Sequence, residues 1–125
     1  MKIITPEQVL FIHYRVIETT GGTNGIRDMA LLESAVQRPL ATFGKKDLYP
    51  NIFLKASALM HSLIKNHPFL DGNKRTAITA SAVFLKSNGY TLSASNKELE
   101  RFTITAAKDK TVPEQMAEWF RKNPA

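Results

Sequence analysis

The residue types best suited to chemistry lie together in one stretch of the chain, His67-Pro68-Phe69-Leu70-Asp71-Gly72-Asn73-Lys74-Arg75. A histidine is a candidate general base near neutral pH, because an imidazole ordinarily titrates there. Asp71 offers hard oxygen atoms, and Mg²⁺ commonly takes only one or two protein carboxylates together with substrate phosphates and water. The stretch therefore indicates a site for a phosphate-bearing ligand, with His67 as catalytic base and Asp71 as Mg²⁺ ligand.

Lys74 and Arg75 strengthen this interpretation because they stand in the first turn of a predicted helix. That end of a helix already carries partial positive charge and free N–H groups, so each cation costs a few tenths to about 1 kcal/mol. A bound phosphate reverses the sign of the interaction. We therefore expect the amino end of this helix to bind phosphate, together with Lys74 and Arg75.

The remaining loop residues are expected to shape the site. Proline disfavours the α conformation in the residue before it, so the preceding helix should end at His67 and present the imidazole. Gly72 permits positive φ or close approach of a ligand. Asn73 can cap the helix or donate its amide, and Phe69 should anchor the loop to the core. The alternative is a plain turn in which His67 and Asp71 only cap helix ends.

Helical spacing of apolar residues extends over nearly the whole chain and predicts an all-α fold. The predicted starts and ends define six helices, at about 6–18, 28–38, 52–66, 73–88, 95–106 and 111–120. The third carries an apolar stripe, with Lys55, Ser62 and Lys65 on the opposite face. The fourth is apolar or small all round, so we place it at the centre. We expect one domain, residues 1–125, forming a compact bundle of about six helices around that central helix.

Composition narrows the function classes. Seventeen Lys and Arg against eleven Asp and Glu give a net charge of +6 and favour anionic partners, although the basic residues are scattered. The chain has no cysteine and therefore no thiolate chemistry. Neither a signal peptide nor a membrane-spanning apolar run is visible, so we expect a cytoplasmic protein without membrane contact.

The stretch 67–75 resembles the signature of the Fic/Doc superfamily, His-x-Phe-x-(Asp/Glu)-Gly-Asn-(Gly/Lys)-Arg. Two positions resemble the Doc branch: Lys74 stands where Fic adenylyltransferases have glycine, and Ile78 where they have a second arginine. The segment Gly25-Ile26-Arg27-Asp28 and the chain length are also similar to Doc-type proteins. The resemblance implies the Fic/Doc fold over nearly the whole chain.

The resemblance also implies a function. His67 would deprotonate a protein hydroxyl, Asp71 would hold Mg²⁺, and residues 72–75 would bind the phosphates of ATP or another nucleoside triphosphate, with Phe69 as structural anchor. A Doc-type toxin transfers the terminal phosphate to a threonine of elongation factor Tu and blocks translation. No glutamate is followed by glycine or asparagine, so the inhibitory motif of many Fic proteins is absent. The resemblance therefore implies a separate Phd-like antitoxin that binds through its C-terminal segment, with nucleic acid contacted only indirectly through it.

Two other functions stay open. One is AMP transfer by a Fic-type adenylyltransferase, and the other is a non-catalytic module that binds anions or nucleic acid. A transition-metal site built from His13, His61, His67 and Asp71 is not expected, because these residues do not share a helix face. We expect His13 and His61 to be ordinary helix residues, and nothing in the sequence gives Arg27 or Arg38 more than a surface charge.

Overall fold

The computed structural model describes residues 1–108 and 111–123 and is all-α, as predicted. Residues 109–110 and 124–125 of the expected single domain lie outside this description. Within the described part, no helix combines the length and apolarity needed to cross a bilayer. The six helices are α1 (Pro6–Thr20), α2 (Met29–Gln37), α3 (Ile52–Asn66), α4 (Asn73–Ser87), α5 (Asn96–Ala106) and α6 (Pro113–Lys122).

Polar caps at the helix starts explain most boundaries. The Thr5 side chain accepts a hydrogen bond from the N–H of Gln8, whose side chain in turn accepts from the N–H of Thr5. Asp28 accepts from the N–H of Leu31 and caps α2. Ser95 and Glu98 form the predicted reciprocal pair before α5. These caps confirm the predicted starts to within a residue.

The start of α6 differs from the prediction. The predicted helix begins at about 111, but Val112 occupies the capping position and its N–H donates to Gln115. Proline favours the first helical position because its missing N–H has no intrahelical partner there. Pro113 therefore fixes the helix start, and the cap falls on the residue immediately before it.

A short hairpin between α2 and α3 was predicted only as a loop. A 3₁₀ turn (Arg38–Leu40) leads into β1 (Thr42–Phe43), which pairs antiparallel with β2 (Lys46–Asp47). Gly44 and Lys45 have φ of 59° and 67°, as the two central residues of a tight primed turn require. The strands are too short to show an alternating apolar pattern, which is why the sequence did not reveal them.

The core is built on α3 and α4 together. Helix α3 packs on α2, α4, α6 and the 3₁₀ turn, whereas α4 packs on α1, α3 and α5. Helix α4 packs on three other helices and α3 shares its central position, with contacts to α2, α4 and α6. The predicted polar face of α3 is wrong, because Lys55 and Ser62 are buried. The Lys55 ammonium donates to Pro39 O and Asp47 Oδ2, which compensates its burial.

Candidate functional site

His67 lies at the carboxyl end of α3 with its side chain exposed. The helix ends at Asn66, and His67 adopts a left-handed conformation, with φ 52° and ψ 56°. This ending agrees with the effect expected of Pro68, which disfavours the right-handed helical conformation in the residue before it. The imidazole is therefore presented to solvent at the entrance to the loop that leads into α4.

The loop after His67 is held by the segment before α2. The Pro68 carbonyl accepts from the N–H groups of Arg27 and Asp28, at 2.7 and 3.0 Å. The N–H of Leu70 donates to the carbonyl of Gly25, so the chain segments on either side of Phe69 are paired. The loop is thus joined by backbone hydrogen bonds to a distant part of the chain.

Phe69 and His13 fix the loop to the core. The Phe69 side chain is fully buried and stacks on the His13 ring with centroids 3.8 Å apart. The Nε2–H of His13 donates to the carbonyl of Asp71 at 2.8 Å. His13 is therefore more than the ordinary helix residue we expected, because α1 supports the loop through it. Its sequence position gave no sign of this contact.

Asn73 closes the loop from inside. Its side-chain nitrogen donates to Phe69 O and its side-chain oxygen accepts from Phe69 N, both at 2.9 Å. The residue is 5% exposed. It is the first residue of α4 rather than its cap, so of the two roles predicted for it the amide donates to an oxygen and does not cap the helix. Its observed contacts shape the loop, and the phosphate contact assigned to it stays a prediction.

The amino end of α4 has the features of an anion site. Gly72 stands at the capping position with φ 76°, and no side chain caps the helix. A Cβ on Gly72 would lie 3.0 Å from Cδ1 of Ile17, so both its conformation and its packing suit glycine. Lys74 and Arg75 follow with exposed side chains. Uncapped N–H groups, the helix dipole and two cations all favour a negative ligand here.

Asp71 presents an ionised carboxylate beside this helix end. Its Oδ2 accepts from the N–H of Thr23 at 3.1 Å and its Oδ1 from the N–H of Gly72 at 2.8 Å. These bonds, that of Thr23 first, hold the pKa of Asp71 below its usual range. A Cβ on Gly22, whose φ is 117°, would lie 2.6 Å from Oδ2, so a side chain there would push the carboxylate out of this position. The carboxylate is exposed and can take a hard cation that also binds phosphate.

Arg27 and Arg38 are not simple surface charges. Arg27 donates from Nε to His67 O at 2.6 Å and from Nη2 to Asn66 O at 2.7 Å. Arg38 lies on another side of α3, where it donates to the Tyr49 hydroxyl at 2.7 Å. The sequence prediction missed both contacts, although Arg27 belongs to the segment that resembles Doc proteins.

Two hollows adjoin the exposed face of α4. A cavity of about 500 Å³ lies between α4 and α5, and one of about 320 Å³ lies between α4 and α1. Both are lined in part by Arg75 and Thr79. The larger cavity is lined by Lys74, Arg75, Ile78, Thr79, Asn96, Leu99, Glu100, Thr103 and Ile104. Its cationic end, lined by Lys74 and Arg75, is therefore continuous with the amino end of α4.

The geometry gives no support for a transition-metal site. Among residues 1–108 and 111–123, no three His, Cys, Asp or Glu side chains are grouped as metal ligands. His61 lies on α3, and burial, followed by the charge of Arg38, lowers its pKa. His13 is engaged with the loop instead. A cation at Asp71 would therefore depend on a ligand that brings its own oxygen atoms.

The sequence profile of the Fic/DOC family matches residues 3–85, which include the complete loop and most of α4. The chain belongs to the Fic/DOC family. It is 50% identical over 74 residues to a protein named Toxin Doc from Mycolicibacterium smegmatis, covering 59% of this chain and 57% of that protein. It is also 28% identical over 122 residues to Protein kinase doc of Escherichia phage P1. This match covers 98% of this chain and 95% of the phage protein.

Proposed function

We propose that this member of the Fic/DOC family is the toxin of a toxin–antitoxin pair and transfers the terminal phosphate of a nucleoside triphosphate to a protein hydroxyl. The observation that carries the proposal is an exposed histidine, His67, on the hydrogen-bonded loop that leads into an uncapped helix end with two cations. The names of two relatives, Toxin Doc and Protein kinase doc, support the same reading.

His67 is the proposed general base. Its imidazole takes the proton of the acceptor hydroxyl as the hydroxyl oxygen attacks the terminal phosphorus. A new phosphorus–oxygen bond forms to the acceptor, and the bond to the bridging oxygen of the nucleotide breaks. The nucleoside diphosphate leaves with the electron pair of that bond. Because phosphoryl transfer needs mainly positioning and charge stabilisation, one base beside a phosphate site is sufficient protein machinery.

The start of α4 is the proposed phosphate-binding site. The free N–H groups of the first turn and the Lys74 and Arg75 side chains bind phosphoryl oxygens, and Gly72 allows the ligand to approach the backbone. Asn73 supports this site by fixing the conformation of the loop, since its side-chain amide is hydrogen-bonded to the Phe69 backbone. We infer that the nucleoside half extends into the 500 Å³ cavity between α4 and α5, which begins at the same two cations.

Asp71 is the proposed Mg²⁺ ligand. Its exposed and ionised carboxylate fits a cation that shares the phosphate oxygens of the nucleotide, since Mg²⁺ usually takes few protein ligands. Bound Mg²⁺ would supply neutralisation of the developing phosphate charge. Thr23 and Gly72 orient the carboxylate through their N–H groups, so the direction of its remaining lone pairs is set by the backbone.

The acceptor we propose is a threonine of elongation factor Tu, which follows from the resemblance to Doc-type toxins and places the reaction in the cytoplasm. Exposed apolar side chains flank the loop, namely Ile26 and Leu70, with 46% and 54% of their surface accessible. They offer contact area beside His67 for a folded acceptor protein. Phosphorylation of this factor would block translation.

A Phd-like antitoxin is the proposed partner. The 320 Å³ hollow between α1 and α4 is largely apolar, includes the exposed Phe11 ring, and has Arg15 and Arg75 at its edge. It suits an antitoxin segment that forms a helix with apolar anchors and acidic neighbours. We expect Phe11→Glu to weaken protection by the co-expressed antitoxin without impairing transfer. Full protection of cells expressing Phe11→Glu would place the antitoxin elsewhere.

The experiment that tests the function is incubation of the protein with bacterial lysate and ATP labelled at either the α or the γ phosphate. We expect protein-bound label from the γ position only. Label retained from the α position alone would instead establish the adenylyltransferase. Absence of covalent label together with salt-sensitive RNA or DNA binding would establish the non-catalytic module.

Two histidine variants make this experiment specific. His67→Ala should abolish γ-label transfer while nucleotide affinity stays within about two-fold of wild type, since the base is not part of the phosphate-binding site. His61→Ala is the matched control, because His61 lies earlier on the same helix and Nδ1 is buried without a hydrogen-bond partner. Continued transfer by His67→Ala would refute the general-base role.

A further inference from the structure

We propose that Arg27 is a positioning residue that fixes the backbone of His67 and so sets where the imidazole is presented. This inference rests on the proposed function, in which His67 is the base. Arg27 lies 40 residues away in sequence, in the segment between α1 and α2. It acts through the main chain at the end of α3, where both of its side-chain hydrogen bonds end.

The two hydrogen bonds of Arg27 end on the last turn of α3. Nε donates to His67 O at 2.6 Å and Nη2 donates to Asn66 O at 2.7 Å. The carbonyls at a helix carboxyl end lack intrahelical partners and carry partial negative charge. A planar guanidinium holds two such carbonyls in one fixed relative geometry, whereas the lysine ammonium is a point charge on a flexible stem and does not fix their arrangement.

His67 needs this support because its conformation is uncommon. Among the described residues, only Lys45 and His67 combine a side chain with positive φ. Left-handed backbone costs a residue with a Cβ roughly 1 kcal/mol or more, so it persists where surrounding contacts hold it. Loss of the Arg27 bonds would let the end of α3 relax, and the direction of the His67 side chain would change with its backbone.

The rest of the loop should not follow this relaxation. The Pro68 carbonyl accepts from backbone N–H groups of Arg27 and Asp28, which any substitution other than proline retains. The start of α4 is held separately, through Asn73 and through the His13 bond to the Asp71 carbonyl. An Arg27 side-chain variant should therefore change the position of the His67 imidazole while leaving the phosphate-binding site intact.

We expect the variant to lower the turnover number, kcat, while leaving KM for ATP nearly unchanged. A displacement of about 1 Å at a reacting group can cost roughly 100-fold in rate. We expect Arg27→Ala to lower kcat by roughly 10- to 100-fold while KM for ATP changes by less than about two-fold. Arg27→Lys should fall between wild type and Arg27→Ala, because one of the two hydrogen bonds is recovered.

Arg38→Lys is the matched control. Arg38 also contacts α3, through Ser62 Oγ at 3.5 Å, and it donates to the Tyr49 hydroxyl before that helix, but these partners lie away from the loop. Arg38→Lys should lower thermal stability without this selective loss of kcat. If Arg27→Ala lost activity only in proportion to its unfolded fraction, or if Arg38→Lys produced the same selective loss, Arg27 would be an ordinary structural clamp and the proposal would be overturned.

A measurement that does not depend on catalysis distinguishes failure of this inference from failure of the proposed function. A residue with positive φ gives a strong NMR cross-relaxation signal between its own Hα and its own amide proton. We expect this signal at His67 in the wild type and its weakening in Arg27→Ala, or in Arg27→Lys if the alanine variant does not fold. An unchanged signal overturns the inference, whatever the activity. A weakened signal in a protein that transfers no phosphate retains the positioning role and rejects the function.

Discussion

Replacing Asn73 with alanine should remove a large fraction of the stability of the protein. Phe69 is fully buried, and both its N–H and its carbonyl bond to the Asn73 amide. The pairing of Phe69 with Ile26 uses the backbone groups of their neighbours and gives no substitute. An unsatisfied buried polar group costs about 1–3 kcal/mol, so losing two partners should cost roughly 2–6 kcal/mol. Domains of this size are stable by only about 5–15 kcal/mol.

Urea unfolding followed by circular dichroism measures this free energy directly. Asn24→Ala is the matched control, because Asn24 is exposed in a loop and should change the free energy of unfolding by less than about 0.5 kcal/mol. Nucleotide affinity should be measured well below the midpoint of unfolding, where loop shape and global stability separate. A cost below about 1 kcal/mol for Asn73→Ala would contradict the reasoning, since the loop backbone would then not depend on this amide.

Three further predictions concern charged groups. Lys74→Gln should stabilise the ligand-free protein by a few tenths to about 1 kcal/mol in urea unfolding, because the cation opposes the helix dipole. The same variant should weaken ATP binding in calorimetry, because the cation favours phosphate. A less stable free protein, or tighter ATP binding, would refute this prediction. Carboxyl NMR should give Asp71 a pKa below the usual range, owing first to the Thr23 N–H. The depressed pKa means that its contribution to loop stability is present above the unfolded-state pKa and lost as pH falls through the folded-state value; a normal pKa would contradict it. Lys55→Met should cost about 1–3 kcal/mol because a buried carbonyl loses its donor, whereas Asp47→Asn should cost less than about 1 kcal/mol because that carboxylate is half exposed; equal costs would refute the assignment.

Local signals in the sequence were enough to predict the helices and the ends of the loop. Caps such as Asp28 and Ser95 act on residues three positions away, and Pro68 acts on its immediate neighbour. The start of α4 at Asn73 follows from the same short-range logic. These features are set within one helical turn, so a reader of the sequence can find them without knowing the fold.

The support of the loop could not be predicted in the same way. His13 and Arg27 reach the loop from 58 and 40 residues away, and no spacing rule connects them to it. The burial of Lys55 depends on a hairpin whose strands are too short to leave a pattern. The Asn73 side chain bonds to Phe69 only four residues away, yet the residue type alone does not indicate which partner an amide takes. Long-range packing therefore decides which polar residues shape the site and which remain free to bind.

The central claim is that the amino end of α4 grips nucleotide phosphates beside the His67 imidazole. Its most direct test is an NMR titration of the labelled protein with ATP and Mg²⁺. We expect the largest amide shifts at Asn73, Lys74 and Arg75, with a change at the His67 ring and little change in α6. Saturable binding whose shifts lie away from α4, or no binding at millimolar ATP, would contradict the claim.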